Sequence, residues 1–390
     1  MLLLLPLLAC TGLEKPADTA TDADTDSDTD TDTDTDSDTD TDTDTDTDTD
    51  TDTDVDADTD TDADTDADTD TDVYFRACNV TPDADYHDVL TETWAIDLGL
   101  EGTPFRLIGD EARWLAVVTD AAVAVYDYTG TGDTPGTVSL RWVQPSAGAI
   151  AAAVEPTTQR VVLLDAYDQL VTFALADGTP GPTLDASAHG PLTALSAAGA
   201  GVQVAGPAAM AWWVPDTGNV TVYASPLDTV SHLAWTGYLY AAGTVGGAAA
   251  VTVMSPYMPE EPVATWTAPE SGSVAAFLAQ DDRVLVVAPS AADDSTGLLV
   301  TLAPDSLDAT HETWLVDLDI RDLASVATSP VFAYAGDTQV GIVPWGRSEA
   351  GSPNAELDGG VGAWVTPTDA ELFTLDRGGS LRRWTCVRYR

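Results

Sequence analysis

Four aspartates, Asp120, Asp168, Asp337 and Asp376, each sit between two short apolar runs. Carboxylates gathered on one rim of a fold would supply the oxygen ligands that calcium takes. A metal-activated water held there would suit a hydrolase or lyase. The competing reading is turn chemistry, because an Asp side chain hydrogen-bonds the backbone two residues on and tolerates tight turns. Turn chemistry is the favoured reading, and the enzyme needs carboxylates that converge on a central channel. Calcium is thus the one cofactor left open, and no catalytic residue or metal ligand is assigned.

Other chemistry is sparse. His87, His189, His232 and His311 show no HExxH or related ligand spacing, so a zinc centre is not expected and structural roles are. Neither a Gly-x-Ser-x-Gly elbow nor a phosphate loop occurs. The 11 tryptophans are expected to fill space between sheets, although Trp213 or Trp235, if exposed, would stack on sugars. Arg377, Arg382, Arg383, Arg388 and Arg390 form the one basic cluster, for which pairing with local carboxylates is expected.

The elements that hold these residues are strands. After Val73 the chain breaks into apolar runs of four to seven residues, such as RVVLLDA (160–166) and RVLVVAP (283–289), bounded by Gly, Pro and Asp. Four segments share one shape, an apolar run, an Asp-containing turn and a second run: 114–126, 160–173, 331–343 and 371–384. Each reads as the middle hairpin of a propeller blade. The expected fold is all-β, a propeller of seven four-stranded blades. Six blades fall at 104–143, 149–187, 191–224, 229–268, 272–317 and 321–358, and three further strands lie at 361–386.

A near repeat closes the ring. HETWLVDLD (311–319) would be the outermost strand of the fifth blade, and TETWAIDLG (91–99) lies 220 residues earlier, five blades of about 44 residues. The strand at 91–98 would therefore complete the three strands at 361–386. Cys78 and Cys386 lie near the two ends of this body, and ring closure brings those ends together, so a disulfide is expected in an oxidising compartment.

Charge sets the partners. The formal net charge is −52, and Asp18 with every even position from Asp22 to Asp72 supplies about half of it. Residues 73–390 still hold 38 acidic side chains against 13 arginines and no lysine. Such a chain repels phosphate backbones and anionic lipid, so nucleic acid is not an expected partner. The Asp-Thr alternation offers no apolar surface to offset ordering entropy and reads as a disordered spacer. Its lack of Gly from 17 to 72 argues against a calcium loop.

The first residues, MLLLLPLLAC, are too short an apolar run to span a bilayer and read as an export signal. Leu7-Leu8-Ala9-Cys10 resembles the lipobox of bacterial lipoproteins, which implies acylation of Cys10, removal of residues 1–9 and anchoring by several acyl chains. Thr11, in place of the Asp that tends to hold such proteins at the inner membrane, implies the outer membrane or cell surface. Segments 372–384 (LFTLDRGGSLRRW) and 214–223 (VPDTGNVTVY) resemble the quinoprotein-like repeat propellers of exported bacterial proteins. That resemblance implies a repeat style and no active site. The organisation expected is a signal peptide at 1–9, a lipid-anchored spacer at 10–72 and a propeller at 73–390. The function expected is a monomeric, non-catalytic binding or scaffold module for a protein or glycan; the alternative is a calcium-dependent propeller hydrolase or lyase.

Overall fold

The computed structural model describes residues 87–110, 114–131, 134–146, 148–199, 201–255, 261–290, 296–316, 320–325, 331–344, 354–365 and 371–389. Cys10, Cys78 and the Asp-Thr segment lie outside them. Twenty-eight strands, β1 to β28, and one 3-10 turn at Ser187–His189 make up the described elements.

The strands form seven separate four-stranded antiparallel sheets. Blade 1 is β2 to β5 (Pro104–Pro145), blade 2 β6 to β9 (Ala149–Asp185), and blade 3 β10 to β13 (Ala194–Ala224). Blade 4 is β14 to β17 (Thr229–Ala268), blade 5 β18 to β21 (Ala276–Val316), and blade 6 β22 to β25 (Ile320–Glu356). Each is a meander, so successive strands pair. Blade 7 breaks that order: β26, β27 and β28 (Gly360–Tyr389) take β1 (His87–Asp97) as their outermost strand. The β1–β28 register runs from His87 opposite Tyr389 to Asp97 opposite Ser380. The two TW-containing segments thus occupy the same position in blades 7 and 5, β1 and β21, as their likeness in sequence requires.

Each blade has neighbours on both faces, which is why its middle strands read as unbroken apolar runs and not as alternations. Leu115, Ala116, Val117 and Val118 of β3 are all fully buried, as are Val161 to Leu164 of β7. Alternate residues go to opposite neighbours. Val161 and Leu163 pack against blade 1, while Val162 and Leu164 pack against blade 3. Seven apolar clusters result, one for each junction between adjacent blades. At about 1.5–3 kcal/mol for each fully buried Val, Leu or Phe, these junctions hold the ring together. The outer strands are wetter, and five of six residues of β13 are exposed.

The apolar stretch 193–211, long enough to suggest a membrane span by composition, is instead built of strand and turn, from β10 to the start of β12. Among the described residues no helix is long and apolar enough to cross a membrane. Trp213 is buried in the junction of blades 2 and 3, and Trp235 packs partly buried at 5.9 Å from Trp212, so both fill space between sheets.

Candidate functional site: the central channel

The innermost strands β2, β6, β10, β14, β18, β22 and β26 each touch the next, and β26 touches β2, so they enclose an axis. In five of them the pairing with the second strand slips by one residue, at Phe105, Ile150, Ser231, Arg321 and Val361. In the other two the same extra residue precedes the strand. The amides of Thr193 and Ala275 donate at 2.8 Å to the carbonyls of Ala205 and Val287, which are the register partners of Ala194 and Ala276. A bulge bends its strand and re-aims the side chains beside it. Six of the seven extra residues line a cavity of about 300 Å3 on the axis.

The residues just after the bulges are Arg106, Ala151, Ala194, His232, Ala276, Asp322 and Gly362. Four are Ala or Gly, which leaves the space to the other three. The Nη1 of Arg106 lies 3.5 Å from Oδ1 of Asp322, whose side chain is 12% exposed. The other oxygen of Asp322 accepts the Ala363 amide at 3.0 Å. Burial pushes the Asp322 carboxyl above its ordinary range, against the opposing pull of Arg106 and of the Ala363 and Leu323 amides.

His232 stands on the wall formed by blade 4. Its Nδ1 lies 2.9 Å from the Ser231 hydroxyl, and its ring lies 6.3 Å from that of Phe277. Burial and the nearby Arg106 charge push its pKa down to about 4, so it is neutral at physiological pH. The channel therefore presents Arg106 and Arg321 as cations and Asp322 as the one carboxylate among its described lining residues. Phe105, Ile150, Leu195, Leu233 and Phe277 add apolar side chains to a wall that is polar over the larger part of its area.

The four turn aspartates lie in the second hairpins of blades 1, 2, 6 and 7, which antiparallel alternation puts at one end of the ring. None of them lines the channel cavity. Asp120 Oδ1 accepts the Thr103 amide at 2.7 Å, and Asp168, with φ of 62°, accepts the Leu192 amide at 2.6 Å. Asp337 pairs with Arg321 at 2.8 Å and with Arg377. Asp376 accepts the Ser380 amide at 2.9 Å and pairs with Arg382 at 3.1 Å. Asp120 and Asp168 thus fasten the segments that lead into β2 and β10, Asp337 pairs with arginines, and Asp376 serves its own turn and Arg382. Among the described residues no three His, Cys, Asp or Glu side chains are placed to hold a metal ion.

Of the arginine cluster, Arg377 and Arg382 pair locally as expected, whereas Arg383 is buried with Glu371. The Arg388 side chain and Arg390 lie outside the described residues. Cys386 stands on β28 opposite Leu90, and its side chain lies outside them too.

The sequence reading did not single out Arg106, Arg321 or Asp322, and it gave His232 a structural role. Phasing the blades would have found them. Once the inner strands are aligned, the position after the bulge is Ala or Gly in four blades and Arg, His or Asp in three.

The closed ring of seven four-stranded meanders defines this protein as a β-propeller. No protein-family model matches the chain, and no curated protein matches it by sequence. Solved structures match it by shape. The WD40 domain of Neurospora crassa Pan2 superposes with a TM-score of 0.61 at 12% identity, over 76% of this chain and 95% of that one. The β-propeller domain of Myceliophteria thermophila Cps50 (Swd1) gives 0.59 at 13%, over 76% and 99%. The RRP9 WD40 repeats give 0.58 at 12%, over 78% and 98%. At these identities the likeness establishes the fold.

Proposed function

We propose that this propeller is a non-catalytic protein-binding and scaffold module, tethered to the outer membrane or cell surface through a lipid on Cys10 and held away from it by the Asp-Thr spacer. One surface observation carries the binding reading. Leu140 and Val143 on β5, the outer strand of blade 1, are 55% and 48% exposed. They border a recess of about 450 Å3 together with Leu98, Leu100, Tyr126 and Pro145. Glu101 is the one charged group on its wall among the described residues. Contiguous apolar surface of this kind marks interaction sites on soluble proteins. Against the strongly acidic body around it, the fitting partner is a protein segment with apolar side chains and basic flanks.

The test is cross-linking on intact cells that express the native chain, followed by mass spectrometry, with Cys10→Ser as the unanchored control. A partner recovered through peptides of blades 7 and 1, and lost with Leu140→Asp, supports the reading. Recovery unchanged by Leu140→Asp and Val143→Asp would remove the recess from it. Retention of the Cys10→Ser protein in the membrane fraction, with no acyl mass lost, would remove the lipid anchor.

A further inference from the structure

We propose that the central channel is a binding site for a small organic anion, whose carboxylate or phosphate head is held by Arg106 and whose apolar body lies against Phe105, Ile150 and Phe277.

Three observations on the channel wall converge. First, the site is built by the backbone. The recurrent bulge on the inner strands brings Ile150 and Ser231 to the axis, and Phe105, which also packs against the junction of blades 1 and 2, reaches the cavity wall beside them. Exposed at 42%, Ile150 opens onto this cavity and onto no blade junction.

Second, the charge is balanced where an acidic excess would be expected. Acids outnumber arginines almost three to one in the body, yet on the described channel wall Arg106 faces one carboxylate, Asp322, while Arg321 pairs with Asp337 outside the cavity lining. Arg106 is 46% exposed and meets Asp322 at 3.5 Å, longer than a charge-assisted hydrogen bond. Its guanidinium therefore keeps donors for an oxyanion while Asp322 holds it over the axis. The acidic surface would repel an anion at long range, so the site suits a ligand recognised by fit in the channel more than by steering.

Third, the cavity has the size of a small-molecule pocket, about 300 Å3 lying at the lower end of that range. Its lining is polar over the larger part of its area, and Phe105, Ile150 and Phe277 supply the apolar contact. Ser231 and neutral His232 add polar atoms beside Arg106 without adding charge.

Calorimetry on the full chain with hexanoate, acetate and hexylamine tests this. Hexanoate is expected to bind one per chain, acetate about ten-fold or more weakly because it leaves the apolar wall uncovered, and hexylamine not at all. Asp322→Asn, which keeps an acceptor for the Ala363 amide but removes the competing charge, should tighten hexanoate binding. Arg106→Gln should weaken it by about ten-fold or more. Ile150→Trp fills the cavity and leaves the Arg106–Asp322 pair in place, so it should abolish binding in a chain that still folds.

Absence of saturable hexanoate binding to both the natural chain and Asp322→Asn overturns the proposal. So does hexanoate binding retained in Ile150→Trp, or hexylamine binding as tightly as hexanoate. Weakening by Asp322→Asn and Arg106→Gln alike would reduce the pair to a structural role.

Discussion

Arg106 of blade 1 and Asp322 of blade 6 meet at 3.5 Å across the inner strand of blade 7, which lies between them in the ring. Blade 7 contributes Gly362 at the equivalent position, and a Cβ there would sit 2.8 Å from the Cβ of Leu107. Asp322 also accepts the Ala363 amide of blade 7. Blades 6, 7 and 1 are thus fastened at the inner edge, while β1 on β28 fastens blade 7 at the outer edge.

Removing the inner fastening should be felt in proportion to what is left unpaired. Asp322→Ala strands the Ala363 amide and is expected to cost about 1–3 kcal/mol in urea unfolding. Asp322→Asn, which still offers an acceptor, should cost less. Equal losses in the two variants would count against the amide bond as the main contribution.

The same carboxyl sets a pH dependence. Its folded pKa is raised above 3.8 by burial, so the folded chain holds a proton that the unfolded chain has lost. Stability contributed by this group therefore rises as pH falls from neutral through the folded pKa, and levels off below 3.8. Relative to Asp322→Asn, the natural chain should gain stability between pH 7 and pH 4. A difference independent of pH would contradict the raised pKa.

His232 works in the opposite sense. With its pKa pushed down to about 4, the unfolded chain takes the proton first as pH falls below 6.5. Stability is then lost between pH 6.5 and 4, by up to about 3 kcal/mol. NMR titration of the imidazole should give a midpoint near 4, and Arg106→Gln should raise it. A midpoint near 6.5 in the natural chain would show that neither burial nor Arg106 acts on the ring.

A second buried cluster joins blades 7 and 1. Tyr128 and Arg383 both donate to Glu371, and Arg383 and Glu371 are each 4% exposed. Glu371→Gln leaves the guanidinium buried without its counter-charge and should cost about 3–5 kcal/mol. Tyr128→Phe should cost only about 1–2 kcal/mol. Chemical denaturation that ranks them the other way would argue that the hydroxyl, not the ion pair, secures this junction.

Closure should be covalent as well. Cys386 lies opposite Leu90, and Cys78 comes twelve residues before Leu90. Peptide mapping of unreduced protein should recover Cys78 and Cys386 linked. On the chain-entropy account their loop contributes about 5–6 kcal/mol at most. Two free thiols would leave closure to noncovalent contacts, the β1–β28 hydrogen bonds and the packing of blade 7 against its neighbours.

Blade number and closure were legible because both are written in local pattern. Apolar runs of strand length mark the sheets, and the near repeat at 91–99 and 311–319 marks two equivalent outer strands. Even blade 6, whose last strand is only Asn354–Glu356, falls in the frame the other blades set. The turn aspartates were visible for the same reason, since Asp in a short turn is a local signal.

The channel was not legible in this way. Arg106, His232 and Asp322 lie 90 residues or more from one another in the chain, and none sits in a motif. By itself the sequence determined the strand class, the blade period and the outer strand that completes the ring, because hydrophobic period and turn chemistry act over a few residues. Only the tertiary structure decided what the axis contains. An extra residue at the start of each inner strand, a bulge in five of the seven, brings side chains from separate blades to one cavity, and which charges meet there depends on ring closure, not on any local spacing.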